Sequence, residues 1–242
     1  MISSRPLSGL TALVTGGNRG IGRATAERLA AEGAVVCVTG RNETTLADTA
    51  AALEKLSPGS WFRKHDVRDE PSTLALFDDI RDHRGSLDIC IPNAGEATLA
   101  NTTETTLADW QRDIDTNLTG TFLTARSALR MMKEKRSGWI IPIVSQAGKL
   151  PFELRAAYCA SKWGALGFTK CLALEAKRHG VRVTAICPAS VATDFQKDNP
   201  SGTDWMLSAS DVADAVLYAL TVSPKVELEE VTLRCWNKPE RK

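Results

Sequence analysis

Residues 10–39 run through an apolar stretch, a glycine-rich turn, a helix-forming stretch and a second apolar stretch, and no other segment restricts the fold so tightly. Leu10-Thr11-Ala12-Leu13-Val14-Thr15 has the length and apolar content of a buried strand. Gly16-Gly17-Asn18-Arg19-Gly20-Ile21-Gly22 follows at once, and residues 23–32 are rich in good helix formers before a stop at Gly33. Residues 34–39 are Val-rich and apolar throughout, as strands buried on both faces are. This is a βαβ unit with glycines in its first turn. Glycines there let the backbone turn tightly and let a pyrophosphate approach a helix N-terminus, whose free N–H groups favour anions. The spacing Gly-x-x-x-Gly-x-Gly differs from the commoner Gly-x-Gly-x-x-Gly dinucleotide fingerprint. A tight turn without a ligand is the plain alternative; the strand before and the helix after favour nucleotide binding.

The alternation continues along the chain. Helices are expected over residues 44–56, 72–84, 107–115, 117–135, 157–179 and 211–221. Further strands are expected over 61–67, 87–91, 139–144 (with Pro142 inside it), 181–186 and 226–235. Seven strands alternating with helices imply an α/β chain: one domain over residues 1–242, built on a doubly wound, parallel, seven-stranded sheet with helices on both faces. Residues 189–208 have the irregular composition of a loop over the site.

Composition sets the boundaries of function. The 242 residues are 43% hydrophobic and carry a net charge of +1, so no field of one sign calls for nucleic acid or an anionic membrane. No apolar run approaches the ~18 residues of a membrane span. The six cysteines, at 37, 90, 159, 171, 187 and 235, form no Cys-x-x-Cys and sit near no histidine at ligand spacing, so no metal site is expected. Cys37, Cys90 and Cys187 read as small core residues. His65, His83 and His179 are scattered and receive no role. Reduced thiols and the lack of a leader segment point to the cytoplasm.

The chemistry is expected at Tyr158-Cys159-Ala160-Ser161-Lys162. Tyr158 and Lys162 are four residues apart and share one helix face. An ammonium beside a phenol favours the phenolate, which makes the pair a tuned proton donor; an amphipathic surface helix is the alternative.

Context settles this choice. Thr15-Gly16-Gly17-Asn18-Arg19-Gly20-Ile21-Gly22 resembles the Thr-Gly-x-x-x-Gly-x-Gly signature of the short-chain dehydrogenase/reductase family. The likeness extends in order through Asp66-Val67, Asn93-Ala94-Gly95, Asn117, Ser145, Tyr158-x-x-x-Lys162 and the segment from Pro188 to Thr193. It implies a Rossmann-type sheet and hydride transfer between a nicotinamide and a carbonyl. Tyr158 would donate the proton in reduction, Lys162 would lower its pKa and hold the nicotinamide ribose, and Ser145 would polarise the carbonyl. Asn117 would hold a water that relays protons to Lys162; a helix kink is its alternative role. Gly16, Asn18, Arg19, Gly20, Ile21 and Gly22 would contact the cofactor. Asp66 and Val67 would border the adenine, and Asn93, Ala94 and Gly95 would line the floor. Val191 and Thr193 would hold the carboxamide, with Pro188 also among the cofactor-binding residues. Pro92 stands where many relatives have asparagine, and Ala189 replaces the usual glycine, so a positive φ there would be strained.

The end of the second strand selects the cofactor. NAD-preferring relatives usually carry aspartate where this chain has Gly40, and Arg41 follows, with Asn42 beside it and Arg19 in the turn. Cations where a 2′-phosphate is expected, and no carboxylate, favour NADP(H).

The resemblance implies a small-molecule or acyl-thioester carbonyl as substrate. Phe195, Trp205, Met206 and Leu207 are candidates for one wall, and Lys149, Leu150, Phe152 and Leu154 for the other. General resemblance is to 3-oxoacyl-carrier-protein reductases, for which Arg126, Arg130, Lys133 and Lys149 would form a basic entrance. The C-terminal residues 228–242 look closer to hydroxy-acid-type and other carbonyl reductases. The helices at 117–135 and 157–179, with Trp163, Leu166, Phe168 and Leu172, match the family's usual dimer-forming pair, so a homodimer or homotetramer is expected. The rivals are an NAD-dependent alcohol, polyol or hydroxy-acid dehydrogenase and a non-catalytic nucleotide-binding regulator. Acyl transfer by Ser161-Lys162 lacks an oxyanion motif.

Overall fold

A computed structural model describes residues 5–193 and 203–237. Phe195, in the expected wall, lies outside them. The first unit is β1 (Thr11–Thr15), α1 (Gly20–Ala31) and β2 (Val35–Gly40). It continues through α2 (Glu43–Leu56), β3 (Trp61–Lys64), α3 (Glu70–Arg84) and β4 (Ile89–Ile91). Next, α4 (Leu107–Ile114) passes through a π-helical turn, Asp115–Thr119, into α5 (Gly120–Lys135) and β5 (Gly138–Ile140). A 3-10 turn, Gln146–Gly148, precedes α6 (Ala156–Lys177), β6 (Val181–Val183), β7 (Ala185–Pro188), α7 (Ala209–Thr221) and β8 (Glu230–Leu233).

The strands order as β3-β2-β1-β4-β5-β6, all parallel, which is the doubly wound, Rossmann-like arrangement. The expected single sheet of seven strands is corrected to six strands plus a separate parallel pair, β7 and β8. The break has a covalent origin. Thr184 N donates to Ile140 O, Ile186 N to Pro142 O, and Val144 N to Ile186 O, the alternating pattern of a parallel ladder. The bond missing from that series belongs to the nitrogen of Pro142, which has no hydrogen. β6 and β7 are one run of chain parted at Thr184, whose hydroxyl donates to the Leu228 carbonyl.

The strands read as apolar throughout because both faces are covered. Ala12 and Val14 of β1, Val36 and Val38 of β2, and Ile89 and Ile91 of β4 join Leu29, Leu46 and Val216 of α1, α2 and α7. The alternate residues Leu13, Cys37 and Cys90 face Leu76, Met132 and Leu172 of α3, α5 and α6. Strand order reverses between β1 and β4, and ligands of such sheets bind outside the carboxyl ends of the strands at that point. The ends of β1, β2 and β4 and the extension of β5 therefore define the site.

Candidate active site

The glycine turn after β1 is built around contacts no side chain would permit. Gly16 has φ +63, and a Cβ on Gly22 would lie 2.2 Å from the Gly16 carbonyl oxygen and 2.5 Å from Asn93 Nδ2. Asn93 Nδ2 donates to the carbonyls of Thr15 (2.9 Å) and Gly16 (3.3 Å), while Thr15 Oγ1 accepts from the Asn93 and Ala94 amides. This locks the end of β4 against the turn. At the start of α1, Arg19 is the N-cap and makes no side-chain cap bond, so the first-turn N–H groups face the cleft without an internal acceptor. That opening fits a pyrophosphate. The turn, the ends of β2 and β4 and the stretch beyond β7 line one cavity of about 1490 Å³, which suits a dinucleotide with a substrate beside it.

The sequence-derived cofactor residues Gly16, Asn18, Arg19, Gly20, Ile21 and Gly22 line this cavity, as do Arg41, Asn42, Asp66, Val67, Asn93, Ala94 and Gly95, and Pro188, Val191 and Thr193. Asn18 Nδ2 donates to Thr45 Oγ1 at 2.9 Å, and Asn42 caps α2 by accepting from the Thr45 amide. A Cβ on Gly40 would sit 2.9 Å from Asn18 Oδ1, so an acidic side chain there would require Asn18 to move. Arg41 is more than half exposed and reaches across the cleft to Glu96, which also faces Arg112 at 3.6 Å. Asp66 is held by Arg68, whose guanidinium keeps the carboxyl below its usual range. His65 lies buried behind it, 3.0 Å from Thr73 Oγ1, and burial pushes its pKa down to about 4.

At the other end, Ser145 follows the extension of β5. Its Oγ accepts from the Ala147 amide at 3.0 Å and is hydrogen-bonded to the Tyr158 hydroxyl. Burial raises the Tyr158 pKa, against the Ser145 bond and the Arg155 charge, which lower it. The net direction is upward because desolvation outweighs the Ser145 bond and the Arg155 charge. Lys162 lies one turn along α6, its Nζ 5.8 Å from the Tyr158 ring centre and 3.1 Å from the Ile143 carbonyl oxygen to which it donates. Burial pushes Lys162 down to about 8, with Cys187 and Asp113 acting the other way.

Asn117 sits fully buried in the π-helical turn. Its Oδ1 accepts from the Glu96 amide (2.9 Å), and its Nδ2 donates to the Glu96 carbonyl (2.8 Å) and to Ser161 Oγ (2.9 Å). Ser161 in turn donates to the Tyr158 carbonyl. Both amide hydrogens are thus given to protein, and only carbonyl lone pairs are left for the expected water.

Ala189 does not carry the strain the sequence suggested. Among the described residues, the non-glycines with positive φ are Arg136 and Leu154. Leu150, Phe152 and Trp205 line the cavity, whereas Leu207 bridges to Val191. The expected basic entrance is absent from the cavity lining: Lys149 pairs with Glu230, and Arg126 pairs with Glu70. Sequence reasoning missed Glu96, Arg155 and Arg234, all of which line the cavity. Arg155, three residues before Tyr158, was within reach of helix spacing; Arg234 has no local signal. Among the described residues no group of His, Cys, Asp and Glu is placed to hold a metal, and no helix is long and apolar enough to cross a membrane.

A family model described as short chain dehydrogenase matches residues 10–204. An uncharacterized oxidoreductase of Staphylococcus epidermidis is 34% identical over 223 residues, covering 92% of this chain and 96% of that protein. Glucose 1-dehydrogenase 2 of Bacillus subtilis is 38% identical over 197 residues, covering 80% and 76%. Among solved structures, levodione reductase superposes with a TM-score of 0.87 at 27% identity, covering 93% of this chain and 96% of that one.

Proposed function

The chain belongs to the short-chain dehydrogenase/reductase family of oxidoreductases acting on alcohol and carbonyl groups, and from that premise we propose an NADPH-dependent reductase of a ketone or aldehyde. The observation that carries the reading is the Tyr158–Ser145 hydrogen bond with Lys162 buried one turn away, at the end of a cleft that begins in a glycine turn. When bound, the nicotinamide supplies the hydride. Tyr158, a phenol whose pKa burial raises, gives its proton to the alkoxide that forms. Ser145 orients the carbonyl oxygen by hydrogen bonding, and Lys162 holds the ribose beside the phenol. Asn117 fixes the start of α6 through Ser161 and holds the relay water.

Support for NADP(H) comes from Gly40, Arg41 and Arg19: both arginines line the cavity beside the end of β2, and an acidic side chain at position 40 would meet Asn18 Oδ1. The Glu96 contact with Arg41 favours the second reading, an NAD-dependent alcohol, polyol or hydroxy-acid dehydrogenase. The protein is proposed to act in the cytoplasm as a single domain in a homodimer or homotetramer, without nucleic acid or membrane.

NADPH consumption across a panel of carbonyl compounds tests the reading. Tyr158→Phe is expected to lose ~10²- to 10⁴-fold in kcat, the usual worth of a positioned proton donor. An unchanged rate in that variant refutes the assignment.

A further inference from the structure

We propose that the carbonyl substrate is an anion: a compact oxo acid whose carboxylate is taken by Arg155, with Arg234 on the facing lip of the cavity. The inference rests on the reductase reading and names its substrate class.

The charges that line the cavity are segregated. At the adenosine end the acids Asp66 and Glu96 are paired with Arg68 and with Arg41 and Arg112. At the catalytic end Arg155 and Arg234 line the wall, and among the described residues no carboxylate comes within ion-pair distance of either. Arg155 is half-buried, and its guanidinium carbon lies 6.0 Å from the Tyr158 ring centre. Its neighbours in the cavity, Leu150 and Phe152, are apolar. A cation partly removed from water and left without a counter-ion costs free energy, and a bound anion offsets that cost.

The backbone also fixes this arrangement. Leu154 has φ +61, an unfavourable conformation for leucine, and its carbonyl accepts from the Ala100 amide at 2.9 Å. The turn so held delivers Arg155 to the start of α6, one helical turn before Tyr158. On the other lip, the Leu233 carbonyl accepts from Gln146 Nε2 (3.0 Å) and from the Ala189 amide (2.9 Å). Cys235 Sγ donates to the Ser190 carbonyl. Arg234 is therefore carried between the catalytic serine turn and the segment after β7. A ketone oxygen at Tyr158 and Ser145 leaves a carboxylate a few bonds away within reach of the Arg155 guanidinium, whose planar fork suits it. A neutral substrate would leave the half-buried Arg155 unanswered, whereas Arg234 is exposed and stays solvated.

The test compares acetoacetate and levulinate with their methyl esters, by initial rates with NADPH and with NADH. Calorimetric titration of acetoacetate into the protein saturated with NADP⁺ runs beside it. The free acids are expected to show at least about tenfold higher kcat/KM than the esters. Arg155→Gln should reduce that acid-to-ester ratio by about the same factor, and Arg155→Lys should keep part of it. Esters turned over as well as acids, or a ratio unmoved by Arg155→Gln, overturn the anion site and leave the reductase reading standing. Arg155-dependent binding of acetoacetate without turnover upholds the anion site and overturns the reductase reading. Neither turnover nor such binding overturns both.

Discussion

Lys162 brings its charge into the interior with a backbone carbonyl as its hydrogen-bond partner, and burial lowers its pKa from 10.5 to about 8. Keeping it protonated at neutral pH costs roughly 3 kcal/mol by linkage. Between the folded value of about 8 and the unfolded value of 10.5 the unfolded chain binds more protons, so stability rises with pH across that window. Below it both states are charged and the full cost stands. Lys162→Met keeps the stem and removes the charge. It is expected to stabilise the cofactor-free protein at pH 7 by up to ~3 kcal/mol, less the lost bond to Ile143, while turnover disappears. Denaturant titrations at neutral pH and near the unfolded pKa check this, since the advantage should shrink at the higher pH. Equal stability at pH 7 would show that the ammonium is not a burden.

Arg41 makes a second residue-scale prediction, because its guanidinium is shared between Glu96 and the proposed phosphate position. Arg41→Ala should weaken NADPH binding relative to NADH by ~10- to 100-fold. Glu96→Gln should shift the ratio toward NADPH by releasing Arg41. Fluorescence titration with both cofactors reads the ratio directly. The same ratio in all three proteins would remove Arg41 from cofactor selection.

At the scale of elements, the joint between α4 and α5 sets where the catalytic helix lies. The π-helical turn Asp115–Thr119 points Asn117 inward, and three side-chain bonds tie it to Glu96 and Ser161. Asn117→Ala strands the Glu96 amide and carbonyl, which predicts a loss of roughly 2–3 kcal/mol in stability. A fall in kcat should accompany it, since α6 carries Tyr158. Chemical denaturation and kcat are the two readouts, and a variant with native stability would contradict the joint's role. None of this was visible from periodicity, which placed two helices at 107–115 and 117–135 but had no means of seeing a widened turn set by bonds to a loop 21 residues away. Proline at 142 was legible as an interruption of the fifth strand. Its consequence, a ladder parted at Thr184 on the neighbouring strand, depends on pairing that a single segment does not encode. By contrast, the glycine turn and the Tyr158–Lys162 spacing were readable because the residue types each requires lie within one short stretch, a strand-to-helix turn and a single helix face. Arg155 and Glu96 take their importance from what stands across the cavity, so their own neighbours in sequence carried little of it.

For the whole molecule, the distribution of apolar surface separates what serves the sheet from what is left over. Leu166 and Leu172 of α6 are buried, whereas Trp163 is 53% exposed and Leu174 72% exposed. On α5, Phe122 stays 37% exposed while it packs edge-on against Phe168. These residues lie on the two helices proposed as the dimer face. Gly167 adds bare backbone there, because a Cβ on it would meet nothing within 4 Å, so a second helix can approach closely. Exposed aromatics around such a gap are the kind of anchors that a self-complementary two-fold interface buries. Light scattering after size exclusion should give two or four times the mass of the chain. Trp163→Glu places a charge at that face, and since the side chain is more than half exposed in one chain, the fold should tolerate it. The variant is expected to elute at half the wild-type mass or less, with unchanged circular dichroism. A wild-type protein that is monomeric at micromolar concentration would refute the interface. An assembly insensitive to Trp163→Glu would move it to another face.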